Sequence, residues 1–268
     1  MPVLIVVAWI AVILGLATAA VILVDEIAHP QRMAIMNVVW PVTGLYFPSI
    51  GLWFYYAMGR PMAADAQPSG EEKPHWQSVF ISATHCGSGC VIGDIIGAPI
   101  VFAFGLTFLG ERLFAEYLVE FLIAYLFGVA FQYLPIRARR RISRSEAVKD
   151  AVKADTIALI AFEVGLFGWM ALVAYVLLPL PAKVNSIIFW FMMLIGMVLG
   201  FLTTYPVNAL LIRWGIKVSI VLSAPSESFP RRGDAFRNSL QRSVSVFSVS
   251  SPGLQLLTTR LWASSTRL

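Results

Sequence analysis

The chain has 268 residues, of which 58% are hydrophobic and 13% are charged, and its formal net charge is +5. Soluble domains carry about 25% charged residues, so this composition excludes an ordinary soluble protein of this length. Several apolar stretches reach the roughly 20 residues that a helix needs to cross a bilayer. We therefore predict an all-α fold, a polytopic transmembrane helix bundle in a lipid bilayer.

The apolar stretches predict about six membrane spans, in the ranges 2–24, 34–58, 79–109, 113–134, 156–179 and 186–212. The first stretch has no basic residues before it and is longer than the core of a signal peptide, so we interpret it as a membrane helix. The spans together form a predicted transmembrane domain over residues 1–220. Residues 221–268 are rich in Ser and Arg, which predicts a disordered tail on the cytoplasmic face.

The distribution of Lys and Arg predicts the orientation of the bundle. Six spans place 17 of the 20 basic residues on one face and leave Arg32, Arg112 and Lys183 on the other. Cytoplasmic loops carry an excess of Lys and Arg, so both termini are predicted to be cytoplasmic. Topology and anionic lipid headgroups account for the positive net charge, and it does not indicate a nucleic-acid partner.

The third predicted span contains the sequence THCGSGCVIGD at residues 84–94. On an ideal helix, the spacing of Cys86, Cys90 and Asp94 places all three on one face, which should point into the bundle. His85 lies about 100° from Cys86 on such a helix. One metal ion held by His85 and both cysteines therefore requires the helix to begin late or to unwind, which the nearby glycines permit.

These residue types are common metal ligands, and they predict a metal site formed by His85, Cys86, Cys90 and Asp94. Thiolate and imidazole suit Cu(I) or Zn(II), and soft sulfur favours copper. Two alternatives stay open for the cysteines. They could cycle as a redox pair, although their spacing in a regular helix is poor for a disulfide, or they could be small buried hydrophobic residues.

A stripe of glycines runs beside the cysteines, formed by Gly89, Gly93 and Gly97, and it allows another helix to approach closely. Two further acids, Glu120 and Glu163, fall inside the fourth and fifth predicted spans. Ionisable residues inside a bilayer are costly, so these acids are candidates for proton or cation handling. Neutral carboxyls that hydrogen-bond between helices are the alternative.

Three segments resemble the integral membrane family named domain of unknown function 4396: MNVVWPVTGLYFPSIGLWFYYAMGR, SATHCGSGCVIGDIIG and GFLTTYPVNALLIRWGIK. The resemblance covers roughly residues 33–217. It implies that His85, Cys86, Cys90 and Asp94 are signature positions of the family. It also implies a membrane fold, and it assigns no activity. The Ser/Arg-rich tail looks like an addition to the family's core.

The sequence leaves three functional hypotheses open for this multi-pass membrane protein. The first is binding or transport of a metal ion, copper above all, through the His-Cys-Gly-x-Gly-Cys element, with copper or zinc as the bound ion. The second is a membrane thiol-redox subunit that uses Cys86 and Cys90. The third is a structural or assembly factor in which the polar stripe packs helices. No catalytic triad, phosphate loop or dinucleotide fingerprint occurs in the sequence, so no enzyme class is indicated.

Overall fold

A computed structural model describes residues 2–66, 74–139, 143–178 and 183–217. The helices are α1 (Pro2–Ala28), α2 (Met36–Tyr46), α3 (Ile50–Phe54), α4 (His75–Phe104), α5 (Arg112–Arg139), α6 (Arg144–Leu172) and α7 (Ile187–Arg213). A π-helical turn, Tyr55–Gly59, extends α3, and a second one, Val173–Leu177, extends α6.

Five of these helices are long and apolar enough to cross a membrane, namely α1, α4, α5, α6 with its extension, and α7. They make the chain a multi-pass membrane protein, and the predicted all-α transmembrane bundle is confirmed. The predicted disordered tail over 221–268, and the predicted domain boundary at residue 220, lie outside the described residues.

The single span predicted over residues 34–58 is wrong, because two short helices replace it. The chain turns between α2 and α3, where Ser49 adopts a left-handed backbone conformation with φ 64°. The Ser49 amide donates a hydrogen bond of 3.0 Å to the Thr18 hydroxyl, which lies inside α1. The turn is therefore held against the middle part of α1, the most apolar of the candidate membrane helices.

Both ends of this segment lie at the same end of the bundle. The Tyr55 hydroxyl donates a 2.6 Å hydrogen bond to Asp25 Oδ2 near the end of α1. Arg60 Nε lies 3.3 Å from the same carboxylate. Ahead of α2, the Arg32 guanidinium donates to the carbonyl of Ala63 at 3.3 Å. Residues 36–59 thus enter beside α1, turn at the level of Thr18 and come back, and we name them the re-entrant hairpin.

The depth of the hairpin follows from its contact with α1. Thr18 precedes the end of α1 by ten residues, which is about 15 Å along a helix. The turn therefore lies about 15 Å from the end of α1, alongside a helix that is long and apolar enough to cross a membrane.

The helix α4 lies at the centre of the bundle and packs against α2, α5, α6 and α7. The Tyr205 hydroxyl of α7 donates to the carbonyl of Trp76 at 3.3 Å, so the last turns of α7 lie beside the first turns of α4. The helix α6 begins at Arg144 rather than at residue 156. Ser143 and Glu146 form a capping box there, which satisfies the first free amides and starts the helix early.

Candidate functional site

The helix α4 is continuous from His75 to Phe104, so it neither begins late nor unwinds at the cysteines. The His85 ring lies 6.2 Å from the ring of Phe131 in α5, whereas the Cys86 thiol points toward α6. Across the ranges that the structure describes, there is no group of three His, Cys, Asp or Glu residues that could hold a metal ion. A shared metal site for His85, Cys86, Cys90 and Asp94 therefore stays a prediction.

All four residues are nevertheless buried, at 0% or 1% exposure. The Cys86 thiol donates a hydrogen bond of 2.8 Å to Asp155 Oδ1 in α6. Asp155 is itself 0% exposed and lies within electrostatic reach of Lys217. One end of the cysteine face is thus joined to a buried carboxylate and a buried lysine.

Eight residues further along α4, a second group of ionisable side chains meets. Asp94 interacts electrostatically with Glu163 of α6 and Glu120 of α5, and the Cys90 thiol lies beside the Glu163 carboxyl. Asp94, Glu120 and Glu163 are at most 2% exposed, and we name them the acid cluster. The structure brings these three predicted residues together, although the sequence places them on three different helices.

Asp94 has the least compensated position in the acid cluster. Both of its carboxylate oxygens are buried, and neither accepts a hydrogen bond from the described residues. Its electrostatic neighbours within the described ranges are two further acids. A buried charge without a partner is strongly unfavourable, so the cluster requires protons or a cation to balance it.

The register of the helices explains how the two groups become one continuous feature. Cys86 and Asp94 are eight residues apart on α4, and their partners Asp155 and Glu163 are eight residues apart on α6. The two helices therefore run parallel, in step, over about 12 Å.

Ionisable side chains and thiols consequently follow one another along the bundle, and we name this line the polar row. Its members, from the start of α5 to the end of α7, are Glu116, Glu120, Asp94, Glu163, Cys90, Cys86, Asp155 and Lys217. At its first end Glu116 accepts a 3.0 Å hydrogen bond from Arg112 Nε.

The glycine stripe brings α5 against α4 and so positions Glu120. A Cβ atom built on Gly89 would lie 2.9 Å from the Gly128 Cα, and one built on Gly97 would lie 2.9 Å from the Glu120 Cα. At Gly93 a Cβ would collide with the backbone of Ala124. These contacts run in opposite directions along the two helices, so α5 is antiparallel to α4.

Comparison with known proteins gives one result that bears on this site. The model of the family described as Domain of unknown function (DUF4396) matches residues 75–217, just over half of the chain. The chain belongs to this family. No match was found among curated proteins or among solved structures.

The DUF4396 match runs from the start of α4 to Lys217, so it contains the whole polar row. The resemblance predicted from the sequence is confirmed over this region. It does not extend to residue 33, because the match begins only at residue 75. The re-entrant hairpin and residues 218–268 therefore lie outside the DUF4396 match.

Three members of the polar row, Glu116, Asp155 and Lys217, are absent from the site residues that the sequence predicts. Asp155 immediately precedes the predicted fifth span, where an acid is expected to be solvated. A signal was present, because Ala147 and Ala151 lie eight and four residues before Asp155 and share its buried face. A stripe of alanines at this spacing indicates a packed helix face. Nothing local marks Lys217 as buried.

Proposed function

We propose that the protein moves a cation across the membrane along the polar row. The observation that carries the proposal is the position of Asp94, which is fully buried, has no hydrogen-bond donor among the described residues and lies next to two other acids. Buried intramembrane acids that face a bundle interior are typical of ion pathways and proton relays. The length of the row supports passage of an ion rather than a single storage site.

The cation that fits the row is a proton or Cu(I). Carboxyl groups in sequence along a helix interface can exchange protons with one another. The Cys90 thiol beside Glu163 adds the soft sulfur that Cu(I) prefers. Copper bound by His85 together with both cysteines is a narrower proposal, since it requires α4 to unwind near Gly87 and Gly89.

The other two hypotheses receive different support. A thiol-redox subunit needs the same unwinding, because Cys86 and Cys90 are free, buried and one helical turn apart in a regular helix. A structural role is supported by the close contacts of the glycine stripe with α5. Hydrogen bonds between neutral carboxyls would also belong to such a role, but both Asp94 oxygens lack a hydrogen-bond partner among the described residues.

The proposal predicts that Asp94→Asn stops cation flux. Purified protein would be reconstituted into liposomes that contain either a pH-sensitive dye or a Cu(I)-chelating dye, and flux would be started by an ion gradient. We expect flux of one of the two ions in the wild type, and a loss of at least about tenfold in the variant, which corresponds to ~1.4 kcal/mol in the barrier.

Glu111→Gln is the matched control, because Glu111 is an exposed acid that directly precedes the start of α5. It should keep the wild-type rate. The proposal is refuted if neither ion crosses with the wild-type protein, or if Asp94→Asn conducts as fast as Glu111→Gln.

We also infer the orientation of the bundle from the re-entrant hairpin. With five spans and a hairpin that returns to its own side, the start of α1 and the end of α7 would lie on opposite faces. Arg32 then joins Arg60 on the face where α7 ends, and 18 of the 20 basic residues belong to that face. The remaining two are Arg112 and Lys183. By the positive-inside rule this face is cytoplasmic.

This orientation keeps the end of α7 cytoplasmic, as the sequence predicts, and moves the start of α1 to the opposite face. It predicts that a cysteine at Pro2→Cys, in a Cys86→Ser/Cys90→Ser background, reacts with a membrane-impermeant maleimide on intact cells. A cysteine at Leu268→Cys should react only after permeabilisation. Protection of both positions in intact cells would instead support six crossings.

A further inference from the structure

The polar row ends at Lys217, and the backbone explains how a lysine comes to lie there. Gly215 adopts a left-handed conformation with φ 67° directly after α7. The Lys217 amide then donates to the carbonyl of Leu211 at 3.1 Å, so the chain folds back on the last turn of the helix. Lys217 is consequently only 3% exposed, although it follows the end of a membrane helix.

Two polar side chains, those of Asn208 and Asp155, lie near the Lys217 ammonium. Nζ donates a 2.8 Å hydrogen bond to Asn208 Oδ1. Asn208 is held in place because its own amide donates to the Thr204 carbonyl at 3.0 Å. Asp155 supplies the opposite charge within electrostatic reach, and its carboxylate also interacts with the buried Gln132 side chain.

Amide and carboxylate oxygens, such as those of Asn208 and Asp155, are also groups that can bind a cation. An ammonium has three donors, and within the described residues Nζ makes one hydrogen bond, to a neutral amide. This compensates only in part for the removal of a full charge from water. The long side chain lies on a turn that follows Gly215, so it can leave this position while α7 stays folded. Glycine at the turn provides the backbone freedom that such a movement needs.

We propose that Lys217 is a tethered counter-ion that closes the cytoplasmic end of the polar row. Its ammonium occupies the position beside Asp155 and Asn208 that a passing cation would take, and the cation crosses only when the lysine moves out. The inference rests on the proposed cation pathway. It adds a residue that regulates access to that pathway and that holds one end of it closed at rest.

The two cysteines make closure measurable without any transport assay. In a Cys90→Ser background Cys86 is the sole thiol of the chain, and it lies one hydrogen bond from Asp155. The probe is a small, positively charged methanethiosulfonate applied from the cytoplasmic side. We expect Lys217→Ala to increase the rate of Cys86 modification at least about tenfold, equivalent to ~1.4 kcal/mol. Asp94-dependent flux should increase when Lys217→Ala is made with both cysteines in place.

Two further variants separate closure from a general loss of structure. Lys153→Ala removes an exposed lysine from the same end of α6 and should leave both rates unchanged. Lys217→Met keeps the length of the side chain without its charge. If the charge closes the row, Cys86 is modified as fast in this variant as in Lys217→Ala. If the size of the side chain alone closes the row, Cys86 is modified as slowly as with Lys217 present. That result would refute the role of Lys217 as a counter-ion.

Closure and the cation pathway can fail separately in these measurements. Faster Cys86 modification in Lys217→Ala, without flux of protons or Cu(I) in any variant, would refute the pathway and keep the closure. Unchanged modification and unchanged flux in Lys217→Ala would refute the closure, whether or not the wild type conducts.

Discussion

Replacing Gly93 by valine is expected to lower the melting temperature of the detergent-purified protein by roughly 10 °C. A Cβ at this position would lie 2.5 Å from the Ala124 Cα and 2.7 Å from its Cβ, distances that force α4 and α5 apart. Overpacking of this kind costs about 1–3 kcal/mol and occasionally more. For a protein of this size each kcal/mol corresponds to about 2–4 °C.

A dye that fluoresces on reaction with thiols can follow the unfolding of the Gly93 variant, because both cysteines are buried. Gly168→Val is the matched control, since nothing lies within 4 Å of a Cβ built on Gly168 in α6. It carries the same side chain on a helix and should change the melting temperature far less. Equal melting temperatures for the two variants would contradict a close contact between α4 and α5.

The second large effect is expected at Asp94, where replacement by leucine should raise the melting temperature and abolish cation flux together. Leucine has the same number and branching of side-chain heavy atoms as aspartate, and it removes a buried carboxyl that has acids as neighbours. Replacing buried ionic groups by well-packed apolar residues is often neutral or stabilising by about 1–4 kcal/mol. Stability given up at one position for the sake of activity is a common property of functional sites.

The direction in which Asp94→Leu changes the melting temperature decides between two roles of the acid cluster. A higher melting temperature with no flux means that Asp94 serves transport at a cost in stability. A melting temperature that falls by several degrees would mean that the carboxyl holds the helices together, as the structural hypothesis requires. Glu111→Leu is the control, because an exposed acid should affect neither quantity.

The spans of the bundle could be predicted from sequence because their signal is local. Long apolar stretches are sufficient to identify α4 to α7, and the helical spacing of Cys86, Cys90 and Asp94 is sufficient to place them on one face. Ideal-helix geometry also separated His85 from that face, and the unbroken α4 agrees with that separation.

The re-entrant hairpin could not be predicted in this way, because its apolar content and its length both suit a complete crossing. What turns the chain back is the backbone of Ser49 and its hydrogen bond to Thr18, 31 residues earlier. Asp155 and Lys217 escaped prediction for a related reason. Their burial depends on partners in other helices, and hydropathy at the edge of a span carries no information about such partners.

The turn of the re-entrant hairpin also determines the order in which the protein can be completed during synthesis. Backbone that is not helical can lie at mid-membrane depth only when other protein surrounds it. Around this turn the Phe47 ring lies 6.5 Å from that of Phe80 in α4 and 5.2 Å from that of Phe201 in α7. The helix α7 leaves the ribosome about 150 residues after the turn. The hairpin is synthesised directly after α1. It therefore reaches its final position only after the last span, α7, has been inserted.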